Sequence, residues 1–369
     1  MLKWLHRKRT ETSMDWKEIG KPLLKWYEKE ARILPWREEP TAYRVWISEI
    51  MLQQTRVEAV KPYFQRFLER IPDVKTLAFV QEDVLMKLWE GLGYYNRARN
   101  LQKAAKIIME EYQGEIPKEY SLLLKLPGIG EYTAGAIASI AYDLPYPAVD
   151  GNVIRVLSRI LGEERVCTQP MVKKELTQKV QVILSNHSPR QLNQALMELG
   201  AAICLPNGMP LCPKCPIREA CYAYFENRVL DFPVKSEKKN RVLEKRNVFF
   251  IEKDGKVCIR KRESRGLLKG LWELPNNIEA EDSNVFAYLK ELGILEANIE
   301  NLGKAKHIFT HIQWDMDCYY VEVIKIDDMQ EDILWVSLEE LQKDYAMPTA
   351  FKQCLKKGIT FLNKKQRHF

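Results

Sequence analysis

Long apolar runs are missing from this 369-residue sequence, and each one is broken by charge well before the roughly 20 residues that a membrane-spanning helix requires. The opening MLKWLHRKRT also lacks an apolar stretch of signal-peptide length, so a cytoplasmic protein with no membrane partner is expected. Internal repeats and low-complexity tracts do not stand out either, which sets aside a repeat architecture. There is no excess of acid: the formal charge is +7 and the pI about 8.8. That balance suits a polyanionic partner, but many basic proteins bind no nucleic acid and charge alone does not identify one. What is present is the composition of a soluble globular protein, with 46% hydrophobic, 10% aromatic and 29% charged residues. A chain of this length exceeds one ordinary core and predicts two domains, each able to bury its own apolar centre.

From Trp16 to about Leu230 the apolar residues recur at helical spacing, as in Val45, Trp46, Ile50 and Met51 or Leu101, Ala104, Ala105 and Ile108. Gly and Pro punctuate the joints, at Gly91-Leu92-Gly93, Leu126 to Gly130 and Leu144 to Pro147 among others. An all-α domain over residues 1–232 is expected. The stretch PVKSEKKNRVLEKR, residues 233–246, is charged and poor in apolar residues, as a solvated linker would be. Beyond it, over 247–369, the pattern changes to mixed α+β. Val248 to Ile251 and Lys256 to Arg260 flank Asp254-Gly255, a strong hairpin signal, and Ile312 to Val323 alternates partly with period two.

Three features carry chemistry. Leu126-Pro127-Gly128-Ile129-Gly130 ends one helix and opens another; its two glycines permit a tight turn that aims backbone N–H groups at an anion, although an ordinary turn between packed helices would read the same. Twenty-two residues past Gly128 stands Asp150, in a place where an Asp is usually a helix cap. Glu49 sits inside the apolar run Ile47 to Leu52, where desolvation would raise its pKa and suit it to general acid work. The third feature is a cysteine cluster, Cys204, Cys212, Cys215 and Cys221, spaced C-x7-C-x2-C-x5-C. In a reducing compartment such crowding argues for a metal over disulfides, and spacing alone leaves structural zinc open.

The segments ILPWR (33–37), WISEIMLQQTRV (46–57), GLGYYNRARNL (91–101), LPGIGEYTAGAI (126–137), VDGNVIRVLSR (149–159) and NQALMELGAAIC (193–204) occur in an order that resembles the helix-hairpin-helix DNA glycosylases, and within them the MutY family of adenine-removing enzymes. The resemblance spans nearly all of the first domain. It implies a multi-domain protein, with an all-α helix-hairpin-helix domain and an iron–sulfur cluster loop followed by an α+β Nudix-like domain.

It further implies that Glu49 protonates the leaving adenine and that Asp150, kept ionised, offsets the oxocarbenium cation of the sugar. Tyr132 and Asn152 match residues that position these groups and the attacking water. Relatives that also nick the strand carry a Schiff-base lysine where this chain has Tyr132, so a monofunctional enzyme is expected. Gln54, with Leu52 near it, and Tyr94 match the wedges that fill the gap left by an extruded base; Arg32, Leu34 and Trp36 match a pocket around that base, and Gly128 and Gly130 the phosphate clamp. Read without the family, Tyr94, Tyr95 and Trp36 would be core aromatics and the glutamines surface residues.

For the cysteines the resemblance favours a [4Fe-4S] cluster over zinc, with one residue more than usual in the first gap. In the second domain, LLKGLWELPN (267–276) looks like the entry to a Nudix fold, but Ser283 to Leu292 lacks the carboxylates of a catalytic Nudix box, so a recognition role is expected. Phe309-Thr310-His311 stands where the family reads oxidised guanine through Phe-Ser-His. The implied partner is duplex DNA bearing adenine opposite 8-oxoguanine or guanine, bound by a monomer. A lyase acting on oxidised pyrimidines is disfavoured by Tyr132 and a Nudix hydrolase by the missing carboxylates. A non-catalytic mismatch binder would have no use for Glu49 paired with Asp150.

Overall fold

The computed structural model describes residues 16–236, 240–279, 285–327 and 332–366. The chain divides into two compact units, one of residues 1–79 with 99–237 and the other of 80–98 with 238–369. Among the described residues no helix is long and apolar enough to cross a membrane.

In the first unit the described residues form helices and turns. Ala42–Leu52 (α1) starts at Thr41, whose side chain accepts from the backbone N–H of Arg44, and it buries eight of its eleven residues, Glu49 among them. A helix enclosed on nearly every side explains why its apolar residues run together instead of forming a stripe. Gly151–Leu161 (α2) is capped by Asp150, which accepts from the N–H groups of Asn152 and Val153, and it ends at Gly162 in the left-handed region, φ 65°. With Pro170–Leu184 (α3) and Pro189–Ala202 (α4) it builds a core from Val153, Leu157, Leu176, Val180, Leu196 and Leu199. A short helix, Glu131–Ala136 (α5), follows the Leu126–Gly130 turn and continues as one π-helical turn, Ile137–Ala141.

Among the described residues the second unit holds a seven-stranded mixed sheet. Val242–Lys253 (β1) and Lys256–Lys261 (β2) form the expected hairpin, with Asp254 and Gly255 both at positive φ, 50° and 77°, as a primed two-residue turn requires. The long strands Ile294–Ile308 and Ile312–Ile326, the fifth and sixth in chain order, pair antiparallel, and the latter also pairs parallel with β1. Residues 309–311 are therefore a hairpin tip. Helix Val285–Glu291 occupies the segment that would carry a Nudix box, while Ser283 and Asn284 lie outside the described residues.

Two boundaries differ from the sequence expectation. Residues 242–246, assigned to the linker, are strand: they pair with 312–316, Lys245 is exposed, and Glu244 and Arg246 pair with each other at 3.0 Å. Residues 80–98, assigned to the helical domain, pack within the second unit, where Lys87 Nζ donates to the Tyr345 carbonyl at 2.9 Å and Glu90 Oε1 accepts from the Met347 N–H at 3.1 Å. Helical periodicity reports which residues are buried, not which core buries them.

Candidate active site

Glu49 and Asp150, 101 positions apart in the chain, line one cavity of about 540 Å³ in the first unit. α1 delivers Glu49, 5% exposed, into its wall. Tyr132, on the first turn of α5, donates its phenolic proton to Oε2 of Glu49. Burial raises the Glu49 carboxyl to about 7; the Tyr132 hydrogen bond pulls the other way, while the charge of Asp150 adds to the rise and that of Arg37 opposes it. Burial, with the neighbouring charges of Glu49 and Asp150, also holds the Tyr132 phenol well above its ordinary value, so Tyr132 keeps its proton.

Asp150 combines the cap expected of it with a place in the cavity wall. It accepts from the N–H groups of Asn152 and Val153 at 3.0 and 2.8 Å and from Asn152 Nδ2 at 2.7 Å. Burial raises its carboxyl too, but these hydrogen bonds and the charge of Arg155 counter it. Three donors favour the ionised form of Asp150, against one for Glu49, so the two carboxyls sit in environments that divide acid from anion. Asn152 is fixed in turn: its Oδ1 accepts from Arg155 Nη2 at 2.8 Å, and Arg155 also donates to the carbonyls of Gly200 and Cys204, both at 2.7 Å. Gly200 has no room for a side chain, since a Cβ there would lie 2.5 Å from that of Asn152.

Arg32, Leu34, Trp36, Leu52 and Gln54 line the same cavity. Gln54 is exposed and held at φ 58°, a strained setting for a residue with a Cβ. Trp36, 6% exposed, packs edge-on to Phe64 at 5.5 Å and is therefore both core and lining. Sequence reasoning missed Glu198, Arg37 and Met197, which complete the wall. Glu198 is fully buried, ion-paired to Arg32 Nε at 2.5 Å and to Arg37 Nη2 at 2.8 Å; although burial pushes its carboxyl up, these two guanidinium groups hold it below its ordinary value. Its signal was the one that marked Glu49, an acid amid apolar neighbours, here Leu196, Met197 and Leu199.

In the glycine turn the two positions differ. Gly128 is left-handed at φ 80°, and a Cβ there would meet Asn100 Cβ at 2.8 Å. Gly130 is instead extended, φ −94°, and caps α5 with nothing of the protein within 4 Å of a Cβ. Only the first glycine is demanded by the turn; the second leaves open space.

Cys204, Cys212, Cys215 and Cys221 are free thiols within electrostatic reach of one another. The long first gap is absorbed by a loop whose two ends, the N–H groups of Leu205 and Leu211, both donate to the Ile203 carbonyl, with Gly208 at φ 70° in between. Arg159 Nη1 donates to Cys204 Sγ at 3.1 Å. Four thiolates are the donor set of a four-iron cluster.

In the second unit Tyr94 is 50% exposed, at φ 48°, while Tyr95 is buried; the core reading holds for one tyrosine and not the other. The Tyr94 hydroxyl lies 3.1 Å from Thr310 Oγ1. Thr310 and His311 are exposed at the hairpin tip, whereas Phe309 is half-buried, edge-on to Trp314 at 4.8 Å and to His307 at 4.5 Å. Phe309 therefore anchors the tip and the next two residues present it. Cys318 and Cys354, scattered in sequence, are joined by a disulfide across 36 residues.

Comparisons with known proteins identify the families of both domains. Residues 47–182 match the HhH-GPD superfamily base excision DNA repair protein family and residues 247–357 the NUDIX domain family. An adenine DNA glycosylase of Buchnera aphidicola subsp. Schizaphis graminum is 41% identical, over 69% of this chain and 73% of that protein. Adenine DNA glycosylases of Arabidopsis thaliana and Homo sapiens are 35% and 32% identical, over 93% and 90% of this chain and 61% and 72% of theirs. Among solved structures, a thermostable thymine-DNA glycosylase aligns with TM-score 0.53 and 27% identity, over 57% of this chain and 97% of its own. An endonuclease III–DNA complex aligns with TM-score 0.50 and 24% identity, over 58% and 98%, a likeness of fold.

Proposed function

This chain belongs to the adenine DNA glycosylases, base excision repair enzymes that cleave an N-glycosidic bond, and from that premise we propose that it removes adenine paired with 8-oxoguanine, or with guanine, from duplex DNA and leaves the strand intact. The observation that carries this reading is the pair of carboxyls on one cavity: Glu49 near pKa 7 and tied to Tyr132, Asp150 held by three N–H donors. Glu49 then protonates the purine as the bond lengthens. Asp150 stays negative and stabilises the cationic sugar until water adds to its anomeric carbon and gives up a proton, with Asn152 fixing the orientation of Asp150 and the phenol of Tyr132 orienting Glu49. A phenol cannot form an imine with the sugar, which supports release of the base without strand cleavage.

Gln54, with Leu52 near it, enters the duplex where the base leaves, Tyr94 stacks beside the base opposite, and the Gly128–Gly130 turn grips a phosphate. Thr310 and His311 read the altered edge of 8-oxoguanine from the hairpin tip, offering a hydroxyl and an imidazole where oxidised and normal guanine differ. Cys204, Cys212, Cys215 and Cys221 hold a [4Fe-4S] cluster. Four thiolates fill its coordination and leave it a structural part, docking the loop between Cys204 and Cys221. The protein acts as a cytoplasmic monomer.

The test is to incubate the protein with duplexes carrying adenine opposite 8-oxoguanine, guanine or cytosine and then cleave abasic sites with alkali. Strand breaks only after alkali, fastest opposite 8-oxoguanine, are expected. Breaks before alkali, or a covalent adduct trapped by borohydride in good yield, would overturn the monofunctional assignment.

A further inference from the structure

The phenol of Tyr132 carries one proton and has two acceptors in reach. One is Oε2 of Glu49; the other is Sδ of Met197, 4.0 Å from the phenolic oxygen. Met197 lies on α4 and lines the same cavity as Glu49 and Asp150. A phenolic O–H makes a single donation, so the two acceptors compete for it. The general acid, meanwhile, passes through two states during one reaction: protonated, when it has no need of a donor, and ionised, when a donor stabilises it most.

Resting on the general-acid reading of Glu49, we propose that Met197 is a positioning residue for the proton transfer, its thioether accepting the Tyr132 O–H while Glu49 holds its own proton. Once Glu49 has delivered that proton to the leaving base, the phenol turns about its C–O bond and donates to the new carboxylate. The O–H bond of Glu49 breaks, an N–H bond forms on the base, and Tyr132 keeps its proton throughout. The other charged groups facing Glu49 are Asp150 ahead of α2, which resists its ionisation, and Arg37, which favours it and is itself paired to Glu198 on α4 with Arg32. Replacing Met197 by Leu, close in volume, removes the sulfur acceptor without adding or removing a charge.

The consequence has a sign. Without the thioether Tyr132 donates to Glu49 alone, the ionised form gains, and the acid loses its proton at lower pH. The experiment is single-turnover adenine release from about pH 5.5 to about pH 9, where the alkaline limb reports ionisation of the acid. Met197→Leu should bring that limb down by about half a unit, read as an about threefold lower rate at high pH relative to the variant's own plateau. Met197→Gln, which restores an acceptor, should leave the limb in place or raise it. In a Tyr132→Phe background, Met197→Leu should move nothing, because the shared proton is gone. An unmoved limb in Met197→Leu, or an equal shift in the Tyr132→Phe background, overturns the proposal. If Met197→Leu fails to fold, Met197→Gln decides alone, and a lowered limb there is fatal. If the unsubstituted protein releases adenine with no alkaline limb, or releases none, the general-acid reading falls and this assignment with it.

Discussion

The hydroxyls of Tyr94 and Thr310 lie 3.1 Å apart, joining a strained turn to a hairpin tip. Arg97 braces the turn: its Nη2 donates to the carbonyls of Leu92 and Gly93, and its guanidinium lies 5.6 Å from the Tyr94 ring and 5.4 Å from that of Trp89. Phe309 anchors the tip against Trp314. Two exposed side chains are thus held by two partly buried ones, and the wedge and the reader of the proposed function belong to one compact unit.

If Tyr94 and Thr310 act together on the base opposite adenine, Tyr94→Phe keeps the stacking ring and loses only the exposed hydrogen bond, worth about 1 kcal/mol. Preference for 8-oxoguanine over guanine should then fall by no more than about fivefold in Tyr94→Phe, and by clearly more in Tyr94→Ala. Replacing Phe309 to His311 with alanines should remove most of the preference while adenine opposite guanine is still processed. Single-turnover rates on the two duplexes measure both, and an unchanged ratio in the triple variant removes the reading role from the tip.

Glu49→Gln and Asp150→Asn should each cut single-turnover base release by at least ~100-fold, the low end for general acid catalysis. For the unsubstituted protein the rate should fall as pH rises through about 7, where Glu49 loses its proton. It should fall again on the acid side at a pH above the ordinary 3.8 of an aspartate, because burial raises Asp150. A flat profile between these limits would leave no role for two carboxyls in opposite states.

Stability should depend on the same proton as catalysis. Glu49 holds its proton more tightly folded than unfolded, so the protonated group contributes stability that is whole below about 4.5 and lost as pH rises through about 7. Glu49→Gln carries no such dependence. Its Tm advantage over the unsubstituted protein should therefore grow across that window, reach roughly 3 °C or more, and stay level above it. Thermal melts at several pH values decide, and an advantage that shrinks with rising pH contradicts the burial of Glu49.

Much of this was legible because the residues concerned are constrained locally. Asp254-Gly255 specified its hairpin through positive φ, and Asp150 its helix start through the N–H groups it caps. Glu49 could be singled out by its apolar neighbours. What escaped depends on contacts between distant segments. Glu198 carried the same local signal, but its partners Arg32 and Arg37 stand more than 160 positions away. The Cys318–Cys354 bond joins the sixth strand to the C-terminal helix, a pairing spacing cannot give. Residues 80–98 read as helical, and Glu82–Leu88 is, yet side chains such as Lys87 and Glu90 tie them to the second unit.

The cysteine loop offers a separate check. Cys212→Ser and Cys221→Ser should each abolish the broad visible absorption of a [4Fe-4S] cluster and weaken DNA binding more than chemistry once bound, because the cluster has no open position for substrate. A purified protein with one zinc and no visible absorption would refute the cluster.

Gly200→Ala tests how the Asp150 carboxylate is held. In a helix interior this change ordinarily stabilises by about 1 kcal/mol. Here the new Cβ would lie 2.5 Å from Asn152 Cβ and 3.1 Å from its backbone carbon, and neither is the free end of a flexible side chain. α2 must move away from α4, and Asn152 Nδ2 with it, from its 2.7 Å bond to Asp150 Oδ2. Arg155 cannot hold both Asn152 and the Gly200 carbonyl, now at 2.8 and 2.7 Å, once they separate. The expected outcome is a lower Tm together with a loss of base release of at least ~10-fold. Adding Asn152→Gly removes the opposing Cβ, so the double variant should regain Tm but not activity. If it regains both, Asn152 fills space and does not orient Asp150.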